Sequence, residues 1–220
     1  MAQLIEFPRR LPWPAHSVDD YGRDPHLVTA LGPLARLRWS VAVGGTQHLP
    51  VRGGALLVSN SRRWALNAVW AAWALSEKID RPVRFVGRPD LAPIGPFMRR
   101  IGGLLDDPAE VQGALDAHEL VIIGTEPTAH PRHAGAVPHE LVGAAVRAGT
   151  PVFPVATMSS TLGRAARVEV GTPVRARRKR RGPLAEVELA DQVQHQLQRM
   201  LDAFGGMQTG VAPIDWLAEG

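Results

Sequence analysis

The chain has 220 residues, 45% hydrophobic, 21% charged and 5% aromatic, which fits one ordinary soluble globular domain with a single sizeable core. Twenty-five Lys and Arg against 21 Asp and Glu leave a formal net charge of +4, which permits attraction to phosphate, nucleic acid or an anionic membrane face without choosing among them. Cysteine is absent, which excludes disulfide staples, thiolate metal sites and a cysteine nucleophile.

Residues 1–24 carry Glu6, Asp19 and Asp20 with Pro8, Pro12 and Pro14 and show neither a helical nor a strand period. They read as an irregular arm, and they lack the apolar stretch of a signal peptide. No run approaches the ~18 apolar residues of a membrane span, so the expected location is cytoplasmic. A domain is expected over residues 25–206, with a tail over 207–220.

Within the domain, Leu27, Val28, Leu31, Leu34 and Leu37 recur at helical spacing behind Pro25, which suits a first helical turn. Residues 39–43 and 55–58 read as strands separated by a Gly- and Pro-rich pause. Residues 64–75 are apolar except at Asn67, and include Trp64, Trp70 and Trp73; a buried or interfacial helix is expected there. Residues 83–86 read as a strand, 97–101 as a short helix and 104–105 as a short strand. A helix over 108–118 is expected behind an Asp107 cap. Then come strand 121–123, helix 137–148, strands 151–156 and 166–170, and an amphipathic helix over 184–204. Such alternation predicts an α/β domain with a mostly central β-sheet flanked by helices.

Several segments in this order resemble blocks of the PlsC-type glycerolipid acyltransferases. They are Trp39 to Gly45 with His48-Leu49-Pro50; Gly53 to Asn60; Arg84-Phe85-Val86 with Pro93-Ile94-Gly95-Pro96 and Arg99-Arg100-Ile101-Gly102-Gly103; Leu120 to Ile123; Ala148 to Ala156; and Val168 to Pro173. The resemblance spans roughly residues 25–204 and implies the glycerolipid acyltransferase fold. It further implies acyl transfer from acyl-CoA or an acyl carrier protein to the hydroxyl of a lysophospholipid, with no other cofactor and no metal.

The catalytic positions depart from that family's pattern. The family's strand ends in Asn-His with an Asp five residues on, where the imidazole takes the hydroxyl proton and the carboxylate fixes its tautomer. Here Asn60 is followed by Ser61, and Leu66 stands at the Asp position; none of the eight histidines has an Asp five residues on. A serine hydroxyl itself needs a base, and leucine orients nothing by hydrogen bonding. The family's Glu-Gly-Thr-Arg block reads Gly124-Thr125-Glu126-Pro127-Thr128, which displaces the Glu to Glu126 and removes the Arg, and the Asp-Arg ending of the second block reads Asp106-Asp107.

The resemblance therefore places the catalytic positions at Ser61, Leu66 and Glu126. Ser61 is either an acyl nucleophile served by a base from elsewhere or a polar loop residue; no G-x-S-x-G elbow surrounds it. Arg62, Arg63, Arg84, Arg99 and Arg100 are candidates for forking onto a substrate phosphate, or are ordinary surface charge. His130, His133 and His139 form a His- and Pro-rich loop whose spacing fixes no metal site.

Six of the seven residues 175–181 are basic, among them Arg177, Arg178, Lys179, Arg180 and Arg181, and the rest of the chain is slightly acidic. This run is a candidate contact with an anionic membrane surface, or a solvated loop. It lacks interleaved aromatics, so nucleic acid is not expected. Two functions emerge. One is a PlsC-like acyltransferase homologue with an altered dyad, peripheral at the inner membrane face. The other is a non-catalytic lipid- or acyl-binding subunit that serves another acyltransferase.

Overall fold

Three strongly apolar runs dictate the centre of the molecule. Ala55–Ser59 (β2), Leu120–Gly124 (β5) and Val152–Ser159 (β6) are buried along nearly their whole length, as strands covered on both faces must be. A computed structural model describes residues 18–62, 66–130, 132–160, 163–175 and 182–204. Around these three strands it adds Ser40–Gly44 (β1), Val83–Val86 (β3), Gly103–Leu104 (β4) and Ala165–Val170 (β7). The seven form one sheet in the order β1-β7-β6-β2-β5-β3-β4. All neighbours are parallel except β6 and β7, so β1 and β7 run against the other five.

Four helices connect parallel strands, as crossover connections require: Asn67–Ile79 (α2), Ile94–Arg100 (α3), Pro108–Asp116 (α4) and His139–Arg147 (α5). Pro25–Arg38 (α1) precedes the first strand and Pro183–Ala203 (α6) follows the last. One face of the sheet packs Leu56, Val58, Val121 and Ile123 against α4, α5 and α6. The other packs Leu57, Ile122, Phe85 and Phe153 against Trp70, Ala71 and Leu75 of α2. Alternation along each strand sends successive side chains to opposite faces, so both cores are built from the same short runs. The expected α/β architecture with a central sheet is the one observed.

The element boundaries differ where local signals compete. The helix expected at 64–75 begins at Asn67 and continues to Ile79, because its last turns stay amphipathic with Glu77 and Lys78 outward; residues 63–65 lie outside the described residues. The α3 helix begins at Ile94 rather than 97, since Pro96 lies in the first turn, whose N–H groups have no intrahelical partner anyway. Strand β6 runs on to Ser159 because β7 pairs with it beyond the end of β2. The expected cap holds: Asp107 accepts the Ala109 N–H at 3.0 Å.

Residues 18–24, expected as part of the arm, are built into the domain instead. Asp19 pairs with Arg84 at 2.6 Å, and Tyr21 lies under the Arg84 guanidinium at 4.8 Å. Asp24 caps α1 by accepting the Leu27 N–H at 3.0 Å and pairs with Arg100 at 2.6 Å. Among the described residues no helix is long and apolar enough to cross a membrane.

Candidate functional site

In a parallel sheet the reactive groups gather beyond the carboxyl ends of the strands. Here β2, β5 and β6 deliver Ser59-Asn60-Ser61, Gly124-Thr125 and Thr157 to one such end. Asn60 sits one residue past β2 and is 2% exposed. Its Oδ1 accepts the Thr157 N–H at 2.7 Å and the Thr157 hydroxyl at 2.9 Å, while its Nδ2 donates to the Thr157 carbonyl at 2.9 Å. The side-chain amide thus stands in for a strand residue and carries the pairing with β6 one step further. From the first turn of α2, Asn67 Nδ2 donates to the Asn60 carbonyl at 3.1 Å and to the Thr157 hydroxyl at 3.2 Å.

Ser61 follows on this anchored backbone. Its N–H donates to the Thr125 hydroxyl oxygen at 3.0 Å and its carbonyl accepts the Thr128 N–H at 3.1 Å. Its Oγ lies over Gly124, where any added Cβ would overlap it. Gly124 therefore leaves the room in which the side chain of residue 61 sits. The site holds position 61 firmly from three strands, as a reacting group would need.

The groups around that position are backbone, hydroxyl and apolar ones. Among the described residues, no imidazole or carboxylate hydrogen-bonds to Ser61 Oγ. Leu66 forms the N-cap of α2, supplies no side-chain cap bond and is 59% exposed. Glu126 is exposed and engages the fold through its backbone N–H, which donates to the Ala136 carbonyl at 2.8 Å. His130 and His133 are exposed, and their carbonyls accept from the Thr128 hydroxyl at 3.0 and 3.2 Å. No group of three His, Asp or Glu with metal-binding spacing occurs among the described residues.

The arginines divide. Arg62 stays at the site, bridging Thr128 through the backbone. Arg84, Arg99 and Arg100 are not brought to Ser61; they tie residues 19–24 to the domain. Arg84 is fully buried near the start of β3, paired to Asp19 and, at 3.2 Å, to Glu119. Arg99 Nε donates to the Tyr21 carbonyl at 3.1 Å. The Leu27 N–H and the Arg100 guanidinium hold the Asp24 carboxyl below the usual carboxylate range, and burial pushes the Tyr21 phenol up. Arg63 and the basic residues Arg177, Arg178, Lys179, Arg180 and Arg181 lie outside the described residues.

Asn60, Asn67, Thr125 and Thr157 are the site residues that sequence reasoning did not single out. Asn67 carried a signal, as the lone polar residue in the apolar 64–75 run. Thr157 carried none, because its partners are remote in sequence.

An apolar cavity of about 120 Å³ lies apart from Ser61, between α1 and α2. Val28, Leu31 and Ala35 close it on one side and Trp70, Trp73 and Phe85 on the other.

No family model matches the chain, and no curated protein does. Among solved structures the chain is similar to the 1-acyl-sn-glycerophosphate (LPA) acyltransferase PlsC from Thermotoga maritima, with a TM-score of 0.61 at 16% sequence identity. That match covers 83% of this chain and 80% of the other, so the PlsC-like fold extends over most of the molecule.

Proposed function

We propose that this chain is a PlsC-like homologue that binds a lysophospholipid or an acyl donor such as acyl-CoA or acyl carrier protein and does not transfer the acyl group. The observation that carries this reading is the site at residue 61: it is held from β2, β5 and β6, yet it presents a serine with no base bonded to it among the described residues, and Leu66, five residues on, supplies no carboxylate to orient one. Acyl transfer needs a group to take the acceptor's proton, a contribution of about 10²–10⁴ in rate.

The binding half of the proposal draws on the fold and on the apolar cavity beneath α1. At about 120 Å³ it takes only the apolar end of a ligand, since whole-ligand pockets run to ~300 Å³ and more. Arg62 is the site cation nearest in sequence to Ser61 and the first candidate for an acceptor phosphate. The run Arg177, Arg178, Lys179, Arg180 and Arg181 is assigned to an anionic membrane surface at up to ~1 kcal/mol per residue.

Active acyl transfer is the second reading, favoured by the name of the structural neighbour, an LPA acyltransferase. Calorimetric titration of the protein with lysophosphatidate and with palmitoyl-CoA, alongside measurement of released CoA thiol, separates the two. Binding without thiol release is the expected outcome. Failure to bind either ligand removes the binding reading, and steady thiol release establishes the enzyme.

A further inference from the structure

The two edges of the sheet are built differently. At one end β4 is only two residues long, a short and therefore protected edge. At the other, β1 presents Ser40-Val41-Ala42-Val43-Gly44, with no charge and no proline to discourage pairing. The Ser40 N–H donates to the Arg164 carbonyl at 2.6 Å. Residues alternate in the direction of their backbone groups, so Ser40, Ala42 and Gly44 serve β7, and the N–H and C=O of Val41 and Val43 point outward. Among the described residues no strand takes them up.

Along this edge runs a trench of about 680 Å³. Trp39 and Trp73 supply apolar wall. Its charged wall is Arg36, Glu77, Lys78 and Arg164, with Arg36 and Glu77 joined at 2.5 Å. That pairing leaves Lys78 and Arg164 as excess positive charge. A second copy of the chain, pairing β1 with β1 about a two-fold axis, would set one cationic wall against another, which opposes association. An acidic strand meets the complementary field.

We propose that β1 is a docking edge for an extended acidic segment of a partner protein, added as an eighth strand. Main-chain bonds to Val41 and Val43 supply the pairing, and Lys78 and Arg164 select for Asp or Glu at alternate positions. The pairing edge at Val41 and Val43 includes no residue of the Ser61 site, and amide exchange there is read without lipid or acyl donor present.

The probe is a fluorescein-labelled peptide of alternating valine and glutamate, compared with a copy carrying lysine in place of glutamate. Amide exchange in the full chain is read at Val41 and Val43, and affinity by anisotropy. Expected are fast exchange at both amides in the free protein, slowing on addition of the acidic peptide, and binding about tenfold weaker for the lysine copy and for K78E/R164E. The wild-type exchange reading stands even where the variant fails to fold. Equal binding of the two peptides, or no slowing at Val41 and Val43, overturns the proposal. So does slow exchange in the free protein: if it depends on concentration the occupant is a second copy, and if not it is another part of this chain.

Discussion

Asn60 and Thr157 form a closed three-bond pair, in which one side-chain amide satisfies the N–H, the carbonyl and the hydroxyl of a residue on the neighbouring strand. Both residues are buried, 2% and 1% exposed, so the Thr157 N–H and carbonyl depend on this amide, while the Thr157 hydroxyl also accepts from Asn67 Nδ2. The pair fixes where the chain leaves β2 and therefore where residue 61 stands.

Asn60→Ala should lower stability by about 2–3 kcal/mol, since it strands buried polar groups. Asn60→Asp keeps the two acceptor bonds but sets a carboxylate against the Thr157 carbonyl. Its loss should shrink as pH falls through the carboxylate range, because a protonated carboxyl donates where the amide did. Chemical denaturation at pH 7 and pH 4 measures both.

Arg84→Met should destabilise the fold by about 1 kcal/mol, because it removes the shared cation of Asp19 and Glu119, whose partly exposed carboxylates water then solvates only in part. Limited proteolysis should then cut within residues 18–24, which are held by Arg84, Arg99 and Arg100. Arg84→Lys should restore resistance only in part, since an ammonium can bridge both carboxylates as the single Nη2 does here, but it lacks the planar face that lies over the Tyr21 ring.

Tyr21 is the only tyrosine in the chain, so phenolate absorbance reports it alone. Burial raises its pKa above the model-compound value of 10.0, although Arg84 opposes the shift. Spectrophotometric titration of the folded protein should give a midpoint above that of the urea-unfolded chain. A raised folded pKa favours the protonated form in the native state. Its stabilisation is therefore complete below the unfolded pKa and is lost as pH rises through the folded one.

The sheet and its helices were legible because each run was long enough to show its period: Leu56 to Val58 and Val121 to Ile123 declare buried strands, and Val193, Leu197 and Leu201 declare one face of α6. The order of the segments along the chain was enough to suggest the PlsC-like fold. What escaped notice depends on distant pairing. Arg84 looks like any strand-flanking cation until Asp19 and Glu119 close on it, 65 and 35 residues away in sequence. Thr157 joins the site from 97 residues beyond Asn60.

Leu66→Asp alone should raise stability by about 0.5 kcal/mol, because it gives α2 the side-chain cap it lacks. Combined with Ser61→His it supplies both the base and its orienting carboxylate on a backbone that is already anchored. The double variant should then release thiol from palmitoyl-CoA and lysophosphatidate about a hundredfold faster than either single variant. Equal rates in all three would show that more than the dyad separates this site from catalysis.

The most direct measurement is thiol release by the unaltered protein with palmitoyl-CoA and lysophosphatidate, compared with a protein-free blank and with Ser61→Ala. The absence of cysteine leaves no protein thiol in the background. The proposed binding role, without a base beside Ser61, predicts the same rate in all three. A rate above the blank that falls in Ser61→Ala would contradict it and make Ser61 a working catalytic residue.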